Sequence, residues 1–304
     1  MLLLAAAVAA CGKPPPVVVH PADAPPERLS EWGVVLADGG DLAFNGGVIP
    51  YDLNMPLFSD YALKLRSVWL PAGTTARYRE DREFEFPVGT ILSKTFHYER
   101  AGERNGVPLD VIRADRESVL DDGGHLDLDR YVLIETRLLV RYDDGWQALP
   151  YVWNETQDEA FLELAGDVRS IRLNDGSAQE QFVYVVPDVN QCGGCHKPDH
   201  TAAEMRPLGP RAWQLNREYR YAGVTRNQLG HWTASGVLAA VPESPSEGVR
   251  WAAPGDGSTG QRARAYLDAN CAHCHNANGP ADTSGLDLAI GAAVDRRFGV
   301  CKPP

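Results

Sequence analysis

From about Leu63 to Val186 apolar and polar residues alternate along most of the chain, and a period of two predicts strands with one buried face. Lys64-Leu65-Arg66-Ser67-Val68-Trp69-Leu70, Glu83-Phe84-Glu85-Phe86, Ile91-Leu92-Ser93-Lys94-Thr95-Phe96-His97-Tyr98 and Asp110-Val111-Ile112-Arg113 carry the pattern most plainly. Tyr131 to Tyr142 alternates less cleanly but is rich in β-forming residues, and Asp143-Asp144-Gly145 before Trp146 supplies a hairpin turn. Asn174-Asp175-Gly176 marks another turn, and Gln181 to Val186 another strand. Strands at short spacing, separated by Gly and Asp turns, predict an antiparallel β-sandwich. Upstream, Ser30 to Ala43 reads as a short amphipathic helix or turn that docks through Trp32, Val35 and Leu36. Pro50 to Ala62 is apolar but interrupted by prolines, and is expected to pack as an irregular segment.

After Val186 the period lengthens. Pro210 to Tyr221 and Asn227 to Ala239 place Trp213, Leu215, Tyr219, Leu229, Trp232 and Leu238 at helical spacing. Trp251 to Gly260 is a Pro/Gly/Ser linker, and Gln261 to Asn270 forms a helix that runs into Cys271. The fold class expected is α+β multidomain, an N-terminal antiparallel β-sandwich followed by an α-helical region.

The candidate chemistry lies in that second region. Gln191-Cys192-Gly193-Gly194-Cys195-His196 and Asn270-Cys271-Ala272-His273-Cys274-His275 both contain C-x-x-C-H. This spacing lets two thiols reach the two vinyl groups of one haem while the next histidine lies under its iron. Two matches predict two covalent c-type haems, held by Cys192 and Cys195 and by Cys271 and Cys274, with His196 and His275 as proximal iron ligands. A zinc ribbon is the rival reading, but its knuckles stand roughly 15 to 20 residues apart, whereas Cys192 and Cys271 are 79 positions apart. A redox dithiol belongs beside a βαβ pattern that is not found here. In the β-region, Asp121 to Asp129 tempts a calcium reading; its glycine and ligand positions do not fit an EF-hand loop, and turn acids are the better reading.

The N-terminus adds a compartment. Leu2 to Ala10 is apolar, too short for a membrane-spanning helix and suited to a signal peptide. Val8-Ala9-Ala10-Cys11 resembles a bacterial lipobox, with Cys11 the acylated residue, and Gly12 to Pro26 reads as a flexible tether. The formal charge of −12 argues against nucleic acid and against adsorption to anionic lipid, leaving the lipid anchor as the membrane contact. Of six cysteines, four go to haem and one to lipid, so Cys301 is left without a partner.

The chain resembles a bacterial family of exported dihaem c-type cytochromes. The residues that carry the resemblance are Tyr51-Asp52-Leu53-Asn54-Met55-Pro56-Leu57-Phe58-Ser59-Asp60-Tyr61-Ala62-Leu63-Lys64, Phe86-Pro87-Val88-Gly89-Thr90 with Lys94-Thr95-Phe96, Asn190-Gln191-Cys192, Leu208-Gly209-Pro210-Arg211 with Gln214-Leu215-Asn216, Asn227-Gln228-Leu229, the second haem motif and Ser284-Gly285-Leu286. It implies an electron-transfer lipoprotein of the periplasm or outer membrane that works with an unidentified redox partner protein. By residue number, 1–29 would be signal and tether, 30–187 a β-rich domain, 188–255 the first haem domain and 256–304 the second. Family members continue well past the second motif to a Met-Pro segment, so the second haem domain is expected to be incomplete. In small c-type cytochromes a proline carbonyl accepts the proximal histidine's ring N–H, a role that would fall here to Pro210. His200, Met205 and His231 are the Met and His residues between the motifs; as distal ligand to the first iron, His231 is favoured over Met205. Electron carriage is the leading function. A dihaem peroxidase-like enzyme with one open iron comes second, and a β-domain docking scaffold third.

Overall fold

The structure, a computed structural model, describes residues 14–102, 107–114, 117, 120–197, 199, 202 and 204–302. The signal segment, Cys11 and His200 lie outside them. Residues 15–26 are docked and not a free tether. A proline-rich stretch offers few N–H donors but keeps its carbonyls, and here the carbonyls are used: Asn45 donates to Pro15 (2.6 Å), Tyr142 to His20 (2.9 Å) and Tyr151 to Pro26 (2.9 Å). Val17 and Val19 pack on the core beneath. Trp32, fully buried, ends a 3-10 turn at Leu29–Trp32 and donates its indole N–H to Tyr151 Oη at 2.7 Å.

The expected helix or turn at Ser30 to Ala43 resolves into that 3-10 turn and a hairpin of β1 (Val35–Ala37) and β2 (Asp41–Phe44). The strands that follow are β3 (Ile49–Tyr51), β4 (Leu63–Trp69), β5 (Ala76–Arg77), β6 (Ile91–Arg100), β7 (Leu109–Ile112), β8 (His125–Asp127), β9 (Tyr131–Tyr142), β10 (Gly145–Trp153), β11 (Ala160–Leu162), β12 (Asp167–Asn174) and β13 (Gln179–Val186). A nine-stranded sheet runs β11-β10-β9-β6-β7-β12-β13, with β4 also paired to β6 and β3 to β4. Its pairings are antiparallel except β7 with β12, which is parallel and corrects the all-antiparallel expectation. Glu83 to Phe86 is not a strand and makes isolated bridges to Arg77 and Arg211. The sandwich is unequal: a small β1-β2-β8 sheet covers one face of the large one, burying Val35, Leu42 and Leu126 with Leu63, Leu65, Ile91 and Leu138. The Asp121 to Asp129 acids cap turns, with Asp121 accepting the Gly123 and His125 N–H groups at 2.8 Å each.

The other face of the sheet is covered by the chain after Val186. This region holds short helices joined by long loops; part of it shares a core with the sheet, and Trp213 and Ala265 form a smaller cluster with Met55, against which Val249, Trp251, Ala269 and Ile290 pack. α1 (Val189–His196) starts at a capping box in which Asp188 accepts the Asn190 and Gln191 N–H groups. The helix expected from Pro210 to Tyr221 is only α2 (Ala212–Leu215), after which β14 (Glu218–Tyr221) and β15 (Val224–Asn227) form a hairpin. Ala222 and Gly223 both adopt positive φ (43° and 83°), the backbone of a two-residue hairpin turn, and this overrides the helical spacing of Tyr219. α3 (Gln228–Ala234), capped by Asn227, stops before Gly236 (φ 73°), and β16 (Leu238–Ala239) then pairs in parallel with β5. α4 (Thr259–Asn270) begins at a Ser258–Gln261 capping box. Cys192, Ala212, Leu215, Leu229, Trp232 and Leu238 share one core with Tyr51, Val68, Phe84, Leu92 and Leu139. The boundary at 187/188 therefore separates types of secondary structure and not cores. Among the described residues no helix is long and apolar enough to cross a membrane.

The irregular segment Asp52 to Met55 lies between sheet and loops, buried and outside any ladder. Two buried amides take over its backbone groups. Gln228 accepts the Asp52 N–H (2.8 Å) and donates to the Asp52 carbonyl (2.9 Å), and Gln214 does the same for Met55 (2.8 and 2.9 Å). Arg217 donates to the Leu53 carbonyl at 2.9 Å and pairs with Glu117 at 2.7 Å, where Arg250 also arrives at 3.2 Å.

Replacing Gln228 by Leu keeps the volume but strands an N–H and a carbonyl, each costing about 1–3 kcal/mol. We expect a loss of about 2–5 kcal/mol in urea unfolding, and a loss under 1 kcal/mol would show that water reaches the segment. For Glu117, burial pushes the carboxyl up but its bonds and charge contacts with Arg217 and Arg250 outweigh that, leaving it below its ordinary 4.5. A lowered folded-state value stabilises above the unfolded value and is lost as pH falls through the folded one. Glu117→Gln should thus lower the melting temperature near pH 7, and the gap to the parent should close as pH drops below 4.5.

Candidate functional site

The capping box fixes the start of α1, so the first motif is helical through its histidine. Cys192 points into the shared core and donates its thiol to the Asp188 carbonyl at 3.4 Å, while Cys195 is exposed. Burial pushes the Cys192 thiol up, which keeps it protonated and unreactive in the free chain. His196 is half-buried, with Nδ1 at 2.7 Å from the Arg206 carbonyl. A carbonyl only accepts, so the proton sits on Nδ1 and Nε2 keeps its lone pair. Burial holds the ring neutral, at about 4, against the opposing pull of that hydrogen bond.

The second motif follows α4. Cys271 caps the helix, and a turn closes with the Cys274 and His275 N–H groups on the Cys271 carbonyl at 3.1 and 2.8 Å. His275 Nδ1 lies 2.9 Å from Ser284 Oγ, which gives its own proton to the Ala281 carbonyl at 2.6 Å. Ser284 must therefore accept from Nδ1–H, and Nε2 again keeps its lone pair. The chain folds back so tightly that a Cβ on Gly279 would stand 2.3 Å from the Cys274 carbonyl oxygen. Asn270 holds the motif to the rest of the fold by accepting the Phe58 N–H at 2.7 Å.

The two motifs meet. Cys274 Sγ lies 3.8 Å from the Gly194 carbonyl, across a separation of 80 residues. Arg211, from the loop after the first motif, reaches buried Asp268 of α4 at 3.3 Å, and Asp268 also accepts the Ile290 N–H at 2.9 Å. The two C-x-x-C-H segments thus form one continuous surface.

Other expected residues are placed differently. The carbonyl that receives the His196 ring N–H belongs to Arg206 and not to Pro210, whose own carbonyl accepts the Phe84 N–H at 3.4 Å. Pro210 is the wrong partner because the loop has already turned back onto the ring four residues earlier. Met205 packs on the cluster that contains Cys192 and bridges to Trp146. His231 instead lies on Tyr221, ring centroids 3.8 Å apart. Cys301 is exposed and unbonded. Arg206 and Gly279 are parts of the site that the sequence did not single out; both act through backbone geometry, which leaves little trace in side-chain chemistry, and Asn270 opened the second motif without a role assigned to it. Ser284 lay in a stretch quoted for the resemblance but had no role there.

The residues fit covalent haem: four thiols free of disulfides, one C-x-x-C-H segment held in a helix and the other in a turn, and two imidazoles set to present Nε2. Among the described residues no group of three or more His, Cys, Asp or Glu side chains converges as a metal cage would require. The chain has no match among known protein families, curated proteins or solved structures.

Gly279→Ala drives a Cβ onto backbone and should cost about 1–3 kcal/mol, whereas Gly291→Ala, with open space around it, should be neutral. Equal melting temperatures for the two variants would mean that the loop after His275 relaxes freely.

Proposed function

We propose that this chain is an exported dihaem c-type cytochrome that carries electrons between redox partners in the bacterial envelope. The observation that carries the reading is the meeting of two C-x-x-C-H segments, each with a histidine whose Nδ1–H is already bonded. Cys192 and Cys195 would form the thioethers of one haem and Cys271 and Cys274 those of the other, with His196 and His275 on the irons. Each haem, once bound, supplies a one-electron couple. The protein's share is to fix both imidazoles by a bond to the far ring nitrogen, which orients them and raises their basicity. Acylation at Cys11 and a place in the periplasm or at the outer membrane as a lipoprotein belong to the same proposal, as does membership of the exported dihaem family.

Contact between the two motifs favours a carrier, because electron transfer between two groups on one surface does not need a moving domain. A second reading, a peroxidase-like enzyme, draws on the placement of His231 against Tyr221 rather than on the first motif. The two are separated by one experiment on the chain produced with the cytochrome c maturation machinery. Mass spectrometry should show two covalent haems, falling to one in Cys192→Ser/Cys195→Ser, and a chain with none would overturn the reading. A reduced spectrum unmoved by carbon monoxide then supports the carrier. A shifted Soret band signals an open iron and moves the assignment to peroxide chemistry.

A further inference from the structure

The strand register sets three cations in a line on the sheet face that carries the first motif. Arg66 of β4 stands opposite Lys94 of β6, and Lys94 opposite Arg137 of β9. With strands about 4.8 Å apart the row spans about 10 Å. The neighbouring row is apolar, Val68, Leu92, Leu139 and Ala148, and Cys192 packs on it, about 7 Å along the strands from the cations. On the other side, Lys64 and Glu135 stand opposite Phe96.

The carboxylates at hand do not complete this row. Asp52 takes Arg66 at 2.6 Å, and Glu135 takes Arg137 through two bonds (2.7 and 2.5 Å) while also accepting from Tyr184 at 2.6 Å. Lys64 donates to the Leu57 and Ala62 carbonyls at 2.9 and 3.3 Å. Among the described residues the Lys94 ammonium has no carboxylate or hydrogen-bond acceptor; it lies over the Phe96 ring at 5.7 Å. Arg66 is 96% buried, yet its Nε has no partner. Burial and the two flanking guanidiniums bring the Lys94 amine down to about 7. Such an arrangement is costly until an anion arrives.

We propose that Arg66, Lys94 and Arg137 form a carboxylate-binding row, and that the carboxylates it takes are the propionates of the haem attached at Cys192 and Cys195. The assignment rests on the dihaem reading. A free carboxylate from solution offers the same chemistry, and the experiment separates the two.

The test uses the full chain matured with haem, its Lys94→Met variant, which keeps the length and the packing on Phe96, and Lys94→Arg. Haem mass tests the dihaem reading by itself. Given two haems, a redox titration should show one potential lowered in Lys94→Met, because a positive charge beside the propionates is lost, with the other unchanged and Lys94→Arg restored to the parent value. Two unmoved potentials overturn the propionate assignment. Calorimetric titration with succinate covers the other source: binding by the parent that is lost in Lys94→Met, with or without haem, assigns the row to a free carboxylate. Unmoved potentials, or absent haem, together with no succinate binding overturn the carboxylate site altogether.

Discussion

The buried backbone of Asp52 to Met55 is the constraint on which the rest of the arrangement depends. Lying outside any ladder between Pro50 and Pro56, it runs through the interior, where an unpaired peptide group is costly. Gln228 and Gln214 supply the missing partners, and both come from the part of the chain that carries the two C-x-x-C-H segments. Satisfying that backbone therefore fixes α2 and α3 against the sheet. The Phe58 N–H, a few residues on, then ties Asn270 and with it the second motif. This stretch registers α2, α3 and the second motif against the same scaffold.

The sheet and the chain after Val186 share an interior. Cys192 packs on Val68, Leu92 and Leu139, so the first motif borrows its apolar floor from β4, β6 and β9. A function that assigned docking to the sheet and electron transfer to the remainder would have to divide this shared interior.

The electrostatics follow the same architecture. In a chain of net charge −12 acids serve in turns and caps, as at Asp121 and Asp188, while three cations line up on the sheet face under the first motif. Neighbouring strands bring like charges together that sequence distance keeps apart, and such a row persists only where carboxylates are near. Asp52 and Glu135 meet part of that need.

Much of this was legible in the residues alone. The period of two identified the main strands of the large sheet, apolar spacing marked most of α4, and the C-x-x-C-H spacing singled out the thiols and imidazoles, because these signals are local and depend only on neighbours in the chain. Tertiary structure decided the rest. β6 is buried on both faces, so alternation could not say that Lys94 lies beneath the first motif. The apparent tether docks through carbonyls that every residue possesses, and the partner of His196 is likewise a backbone oxygen. The helical spacing of Tyr219 and Tyr221 yielded to a turn at Ala222 and Gly223. That the two motifs share one surface is a long-range contact, set by how the loops cross the sheet, and no local pattern encodes it.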